Sequence, residues 1–282
     1  MATFYNQATL SYNGRLTNSN ITEGELIDTL NATKTAISTA YGPNGRVSYV
    51  INVSNSNQTG AASVTITDNL GAYTLGANTV YPLDYVDGSI RLFVNGTERT
   101  PPTVIDVQPL TLSAITLPAG ANAAIYYEAI TNNFAPLTPG SLITNTATVT
   151  DDNETVTVSD TVGVDESTNL TIAKAICPVT VTDNGELTYT FVIQNSGNRE
   201  AVATDDVIIT DTFNPILNPI TVTYNGIAWA EGANYTYDET TGEFASLPGQ
   251  ITVPAATFTQ DPVSGIVTTT PGVAVITVTG TV

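Results

Sequence analysis

The chain repeats itself at an offset of 140 residues, and no other feature constrains its fold as strongly. "LNATKTAIS" (Leu30 to Ser38) matches "LTIAKAICP" (Leu170 to Pro178), and "SYVINVSNS" (Ser48 to Ser56) matches "TYTFVIQNS" (Thr188 to Ser196). Further along, "VTITDNL" (Val64 to Leu70) matches "VIITDTF" (Val207 to Phe213), "FVNG" matches "TYNG", and Gly120 to Tyr127 matches Gly272 to Thr279. A chain of 282 residues has room for two ordinary domains, so the halves are expected to be two copies of one domain. Runs such as "VSYVINVSNS" and "AVITVTGTV" alternate apolar with polar residues and are separated by turn residues, which predicts an all-β fold of two β-sandwiches. Only "TEGELIDTL" (Thr22 to Leu30) offers room for a helical turn.

The two copies end differently. After Ile130 the first continues through "SLITNTATVTDDNETVTVSDTVGVDE", which reads as two strands joined by an acidic turn; the second shows no such ending before Val282. Similar text stands at the start of the chain instead. "NQATLSYNGRLTNSNIT" (Asn6 to Thr22) parallels "NTATVTDDNETVTVSDTV" (Asn145 to Val162), with Asn13-Gly14 as a two-residue hairpin turn. The expected layout is a donor hairpin over residues 1–22, a first sandwich over 23–166 that is complete within the chain, and a second over 167–282 that lacks its final strands.

A sandwich without its last strands exposes unpaired backbone groups and an apolar slot. The hairpin would fill such a slot, with Phe4, Asn6, Ala8 and Leu10 on the donated face. It would enter its own second domain, as in a circular permutation, or that of a neighbour, as in donor-strand complementation. Self-closure requires the two domains to fold back side by side. Filling a neighbour is a head-to-tail contact, which propagates into an open filament unless the rotation closes a ring. The expected product is a fibre subunit whose partners are identical copies. The alternative is a monomeric surface adhesin or stalk module that closes its own second domain, and a separate anchor or tip protein is compatible with either.

The chain contains two lysines, Lys34 and Lys174, at equivalent places in the two copies. Strand parity puts Lys34 on a face with Leu30, Ala32 and Ala36, and Lys174 with Leu170, Ile172 and Ile176. The same parity turns Asp68 inward with Val64 and Ile66, Asp211 with Val207 and Ile209, and Asn145 with Ile143, Ala147 and Val149. Burial drives a lysine toward its neutral, nucleophilic amine and a carboxylic acid toward its protonated form. A neutral amine beside an asparagine amide polarised by such an acid can expel ammonia and leave an isopeptide bond. A buried ion pair with a hydrogen-bonded asparagine uses the same residues without forming a bond.

The lysine strand, the "ITD" strand and the "ITNTATV" strand resemble the conserved repeat of bacterial and archaeal surface proteins labelled domain of unknown function, eleven. This resemblance implies immunoglobulin-like sandwiches in surface stalks and adhesins. The terminal hairpin is similar in its logic to the donor strands of assembled pili and of spore appendages, and implies an extracellular, cell-surface or spore-surface filament. The polar residues resemble the intramolecular cross-links of Gram-positive pilin and adhesin domains, in which Lys, Asn and an acidic helper form the bond. Carried over, that implies Lys34 joined to Asn145 with Asp68 assisting inside the first domain. It implies Lys174 joined to Asn6 of the next subunit with Asp211 assisting.

Composition narrows the remaining classes. Histidine is absent and Cys177 and Met1 are the only sulfur residues, which removes histidine acid-base chemistry, cysteine-rich metal sites and intrachain disulfides. No enzyme activity beyond autocatalytic bond formation is expected, and no cofactor or metal. A net charge of −19 repels nucleic acid and anionic lipid. No apolar run is long enough to cross a membrane, so no insertion is expected. The polar, alternating start "MATFYNQATLSYNG" lacks the pattern of a secretory signal, so removal of a signal, or release by lysis of a sporulating mother cell, is expected. The acidic turns at Asp151 to Glu154, Asp165 to Glu166 and Asp205 to Asp206 lack an EF-hand spacing and read as solvated turns before calcium sites. Trp229 with Tyr224, Tyr235 and Tyr237 reads as core and rim before a carbohydrate platform. Cys177 reads as a small strand residue before an intermolecular disulfide.

Overall fold

The computed structural model describes residues 2–26, 28–151 and 153–282. The chain is all-β: among the described residues there is no α-helix, and Ala203–Asp205 forms one 3-10 turn. It divides into two compact units. The first comprises residues up to Asn132 and Ile143–Val162; the second comprises Asn133–Leu142 and Gly163–Val282.

The first unit is a β-sandwich of two six-stranded sheets. One sheet runs in the order Thr97–Arg99, Arg91–Val94, Asn122–Thr131, Arg46–Asn55, Leu30–Ala36, with Leu83–Tyr85 also paired to Asn122–Thr131. The other runs Val104–Val107, Leu110–Leu117, Ala62–Asp68, Leu142–Thr150, Thr155–Val164, Ala40–Tyr41. The period-2 pattern sets the faces. Val47, Tyr49, Ile51 and Val53 enter the core from one strand, and Ala123, Ile125, Tyr127 and Ala129 from its neighbour. Across the core, Val64, Ile66 and Asp68 are buried from the aspartate strand Ala62–Asp68, as are Ile143, Asn145, Ala147 and Val149 from the asparagine strand Leu142–Thr150.

The second unit repeats this plan with fewer strands. Its larger sheet runs Leu170–Cys177, Glu186–Asn195, Gly272–Thr281, Ile220–Tyr224, Ile227–Trp229, and its smaller one Thr210–Thr212, Glu243–Ser246, Tyr235–Tyr237. In the first unit the aspartate strand is held on both edges, by Leu110–Leu117 and by the asparagine strand. Its counterpart Thr210–Thr212 pairs with Glu243–Ser246 on one edge, and among the described residues no strand lies along the other. Tyr235 and Phe244 are buried, and Trp229 stacks on Tyr224 at 5.2 Å against that core.

The N-terminal segment is a ladder with itself. Ala2–Asn6 pairs with Thr22–Leu26, and Thr9–Tyr12 pairs with Arg15–Asn18 around Asn13 and Gly14, whose positive φ angles of 46° and 74° suit a primed hairpin turn. Between the two ladders Gln7 and Ala8 leave the strand and bond to Ser19. The hairpin thus continues to Leu26, past the expected end at 22, and Phe4 lies over Gly24, where a side chain would collide with its ring. Thr22–Leu26 is a strand, correcting the expected helical turn, because its backbone groups pair with Ala2–Asn6.

Two more expectations shift. Asn133–Leu142 groups with the second unit, since Val267 N–H donates to the Asn133 carbonyl, Asn198 Nδ2 to the Leu137 carbonyl, and Gly140 N–H to Glu166. The match of Gly120 to Tyr127 with Gly272 to Thr279 is one residue out of register. Tyr49 pairs with Tyr127 and its counterpart Tyr189 pairs with Val278, so Val278 stands where the first unit has Tyr127.

Candidate cross-linking sites

Four strands converge on a polar cluster inside the first unit. Lys34 comes from Leu30–Ala36, where it sits opposite Ile51, and its side chain is fully enclosed. Asp68 ends the aspartate strand opposite Ala147, which places Asn145 two residues along on the same face. Lys34 Nζ is ion-paired to Asp68 Oδ2. Its ammonium lies 4.7 Å from the centre of the Tyr49 ring and 5.5 Å from that of Tyr127.

The hub of the cluster is a residue that the sequence comparison passed over. The Tyr127 hydroxyl donates to Asp68 Oδ2 at 2.6 Å and accepts from Lys34 Nζ at 3.0 Å and from Asn145 Nδ2 at 2.9 Å. One donor and two lone pairs are all in use. Lys34 and Asn145 therefore bind the same oxygen, and no hydrogen bond joins Asp68 to Asn145 directly. The amide carbonyl of Asn145 instead accepts at 3.3 Å from Gly71 N–H, which it shares with Asn69 Oδ1 at 3.0 Å, while Leu70 N–H caps Asp68 Oδ1 at 3.0 Å. Leu70 and Gly71 hold φ angles of 50° and 71°, which turn the chain back over the cluster, and Ile143 fills the space where a side chain at 71 would go.

The strand Thr155–Val164 and the turn before it secure the lysine strand from the opposite sheet. Asp160 accepts from Ala36 N–H at 2.7 Å, and Glu154 accepts from Thr29 N–H and Leu30 N–H. Asp151 in turn accepts from the N–H groups of Asn153 and Glu154, so these acidic residues serve the fold as hydrogen-bond acceptors. Asp160 is held below the usual carboxylate range by its backbone hydrogen bonds, that from Ala36 first.

Burial pushes the Lys34 pKa below its ordinary 10.5, against the opposing pull of Asp68, and pushes the phenols of Tyr49 and Tyr127 up. A lysine with a lowered folded pKa holds fewer protons folded than unfolded, so stability rises with pH between its folded value and 10.5. In the Asn145→Ala variant, which lacks the amide a cross-link would need, urea unfolding should show the first unit gaining stability on moderate alkalinisation, until tyrosines of the unfolded chain begin to ionise near about 10. Adding Lys34→Met should abolish that gain.

The second unit presents half of the same cluster. Lys174 is ion-paired to Asp211, with its ammonium 4.4 Å from the centre of the Tyr189 ring and 5.6 Å from that of Phe213. These side chains are 40% and 18% exposed, against 0% and 1% for Lys34 and Asp68. Ile172 and Ile176, which parity turns inward, are exposed beside Lys174. Asn6 lies on the exposed terminal hairpin opposite Thr22, with Phe4 and Ala8 also exposed and Leu10 61% exposed. Cys177, at the end of the Lys174 strand, is likewise exposed.

Among the described residues no group of His, Cys, Asp and Glu is arranged to hold a metal ion, and no helix is long and apolar enough to cross a membrane. No family model and no curated protein sequence matches the chain, so the resemblance to the surface-protein repeat rests on its motifs. Among solved structures the chain is similar to the C-terminal domain of the Streptococcus agalactiae AgI/II polypeptide BspA, at 12% identity over 89% of this chain and 91% of that one, with a TM-score of 0.36. It is also similar to BcpA, the major pilin subunit of Bacillus cereus, at 14% identity over 95% and 73% of the two chains, with a TM-score of 0.37. The pilus backbone RrgB of Streptococcus pneumoniae follows at 11% identity over 86% and 55%, with a TM-score of 0.36. Likenesses this loose carry no functional information.

Proposed function

We propose that this protein is the structural subunit of a self-assembling filament on the outside of a cell or spore. The terminal hairpin of one subunit lies along the free edge of Thr210–Thr212 in the next, as the strands of the Asn145 hairpin do in the first unit. One observation carries this reading: the same Lys–Asp pair is sealed beneath the asparagine strand in one unit and open in the other. The hairpin offers the complement, an asparagine with Phe4 and Leu10 exposed to solvent. Burying those two side chains contributes on the order of 1.5 to 3 kcal/mol each, and each new ladder hydrogen bond about 0.5 to 1.5. Ordering and association costs offset part of this.

Covalent closure makes the joint permanent. Lys34 condenses with Asn145 inside the first unit, and Lys174 with Asn6 of the neighbour, each with loss of one ammonia. The product is a head-to-tail polymer of identical subunits with no enzyme activity toward other molecules, and a tip or anchor protein is accommodated at either end. Boiling the assembled material in detergent with reductant should leave a ladder of covalent multimers, and intact-mass measurement of the monomer should show one ammonia missing. Bands of monomer alone would overturn the welded joint. Isolated rods in electron micrographs would favour closure of the second unit by its own hairpin.

A further inference from the structure

We propose that Tyr127 is a catalytic residue of the Lys34–Asn145 condensation, carrying a proton from Asp68 to the departing nitrogen, while Gly71 N–H holds the carbonyl oxygen. The inference rests on the covalent reading given above, and it departs from the simplest version of that reading, in which the carboxyl polarises the asparagine directly. In this structure the carboxyl does not reach the amide. Asp68 contacts Lys34 and the Tyr127 hydroxyl, and that hydroxyl alone bridges to Asn145 Nδ2.

The step balances as follows. Lys34 passes one proton to Asp68 across their ion pair and becomes a neutral amine. Nζ then bonds to Cγ of Asn145, and the charge that develops on the carbonyl oxygen meets Gly71 N–H, already 3.3 Å away. As the Cγ–Nδ2 bond breaks, Tyr127 gives its hydroxyl proton to Nδ2 and takes the Asp68 proton in exchange. Ammonia leaves. The surplus proton on Nζ passes to Asp68, so Tyr127 ends as it began and Asp68 ends protonated, holding the proton that Lys34 brought as an ammonium. The path uses distances of 2.6 and 2.9 Å that exist before reaction, and enclosure keeps water from competing for the amide. Burial raises the Tyr127 pKa, which keeps the hydroxyl protonated and able to relay.

The second unit sharpens the contrast. Val278 stands at the register position of Tyr127, so the Lys174–Asp211 pair has no hydroxyl from that strand. A tyrosine kept only for packing would be exchangeable with phenylalanine. One kept for proton transfer would not.

The test is Tyr127→Phe in the full chain, made by cell-free synthesis and followed by intact mass from the end of synthesis. Phenylalanine keeps the ring stacked on Tyr49, 5.5 Å between centres, and removes the hydroxyl. The expected result is a folded protein, shown by near-UV circular dichroism, that loses ammonia on the order of 10²- to 10⁴-fold more slowly than the parent chain. Loss at the parental rate from folded Tyr127→Phe would overturn the relay and leave the isopeptide reading intact. If the parent chain itself never loses ammonia, the isopeptide reading fails and the relay with it. Should Tyr127→Phe not fold, a fluorinated tyrosine at position 127 keeps the shape and the hydrogen bonds while making the phenol more acidic. A changed rate and pH profile would then support proton transfer, and an unchanged pair would overturn it.

Discussion

Deletion of residues 1–22 is expected to abolish filaments in electron micrographs and to leave a chain that sediments as a monomer, with the first unit still folded. Among the described residues the strands of this segment pair with one another and with Glu23–Leu26, and with no strand of either sandwich, and Phe4, Tyr5, Leu10, Tyr12 and Leu16 are all more than half exposed. The core strands of the first unit owe them nothing, so the thermal transition of that unit should not move. In the proposed assembly these residues supply every hydrogen bond and apolar contact that fills the neighbour. Adding the hairpin back as a peptide should cap the open unit and stop growth of the full-length chain. Filaments that persist after deletion would refute donor-strand assembly.

The second large effect is expected from Asp68→Ala. Lys34 would be left fully enclosed without its counter-charge, and loss of one partner of a buried pair costs about 3 to 5 kcal/mol. For a unit of this size the thermal midpoint should fall by roughly 10 °C, and intact mass should show no ammonia lost. Asp211→Ala provides the comparison. The pair it breaks is partly exposed and screened by water, so the free chain should lose about 0 to 1 kcal/mol. In assembled material the same substitution should erase the covalent ladder. Equal destabilisation by the two changes would mean that the second site is already closed in the free chain.

Much of this was legible in the residues themselves. Alternation in "VTITDNL" and "ITNTATV" turned Asp68 and Asn145 to the core side, where both are buried, and repetition singled out Lys34 and Lys174 from the rest of the chain. The Asn13-Gly14 turn was legible too, because only residues tolerant of positive φ make that hairpin. Tyr127 was not. Repetition favours what two copies share, and at this position they differ, a difference hidden by a one-residue slip in the match of the strands. Gly71 was missed because a backbone N–H leaves no mark in a pattern of side chains.

The sequence by itself determined most strands of the sandwiches, the buried faces of the first unit and the repeated polar set, because side chains alternate with a period of two whatever the strand pairs with. Tertiary structure alone decided what stands between those polar groups. Pairing of Asn122–Thr131 with Arg46–Asn55, and packing of that sheet on the asparagine strand, bring residues 34, 68, 127 and 145 to one point, and such distances depend on register and sheet separation. It also decided that one Lys–Asp pair is sealed and the other open, since enclosure depends on whether a further strand covers the site.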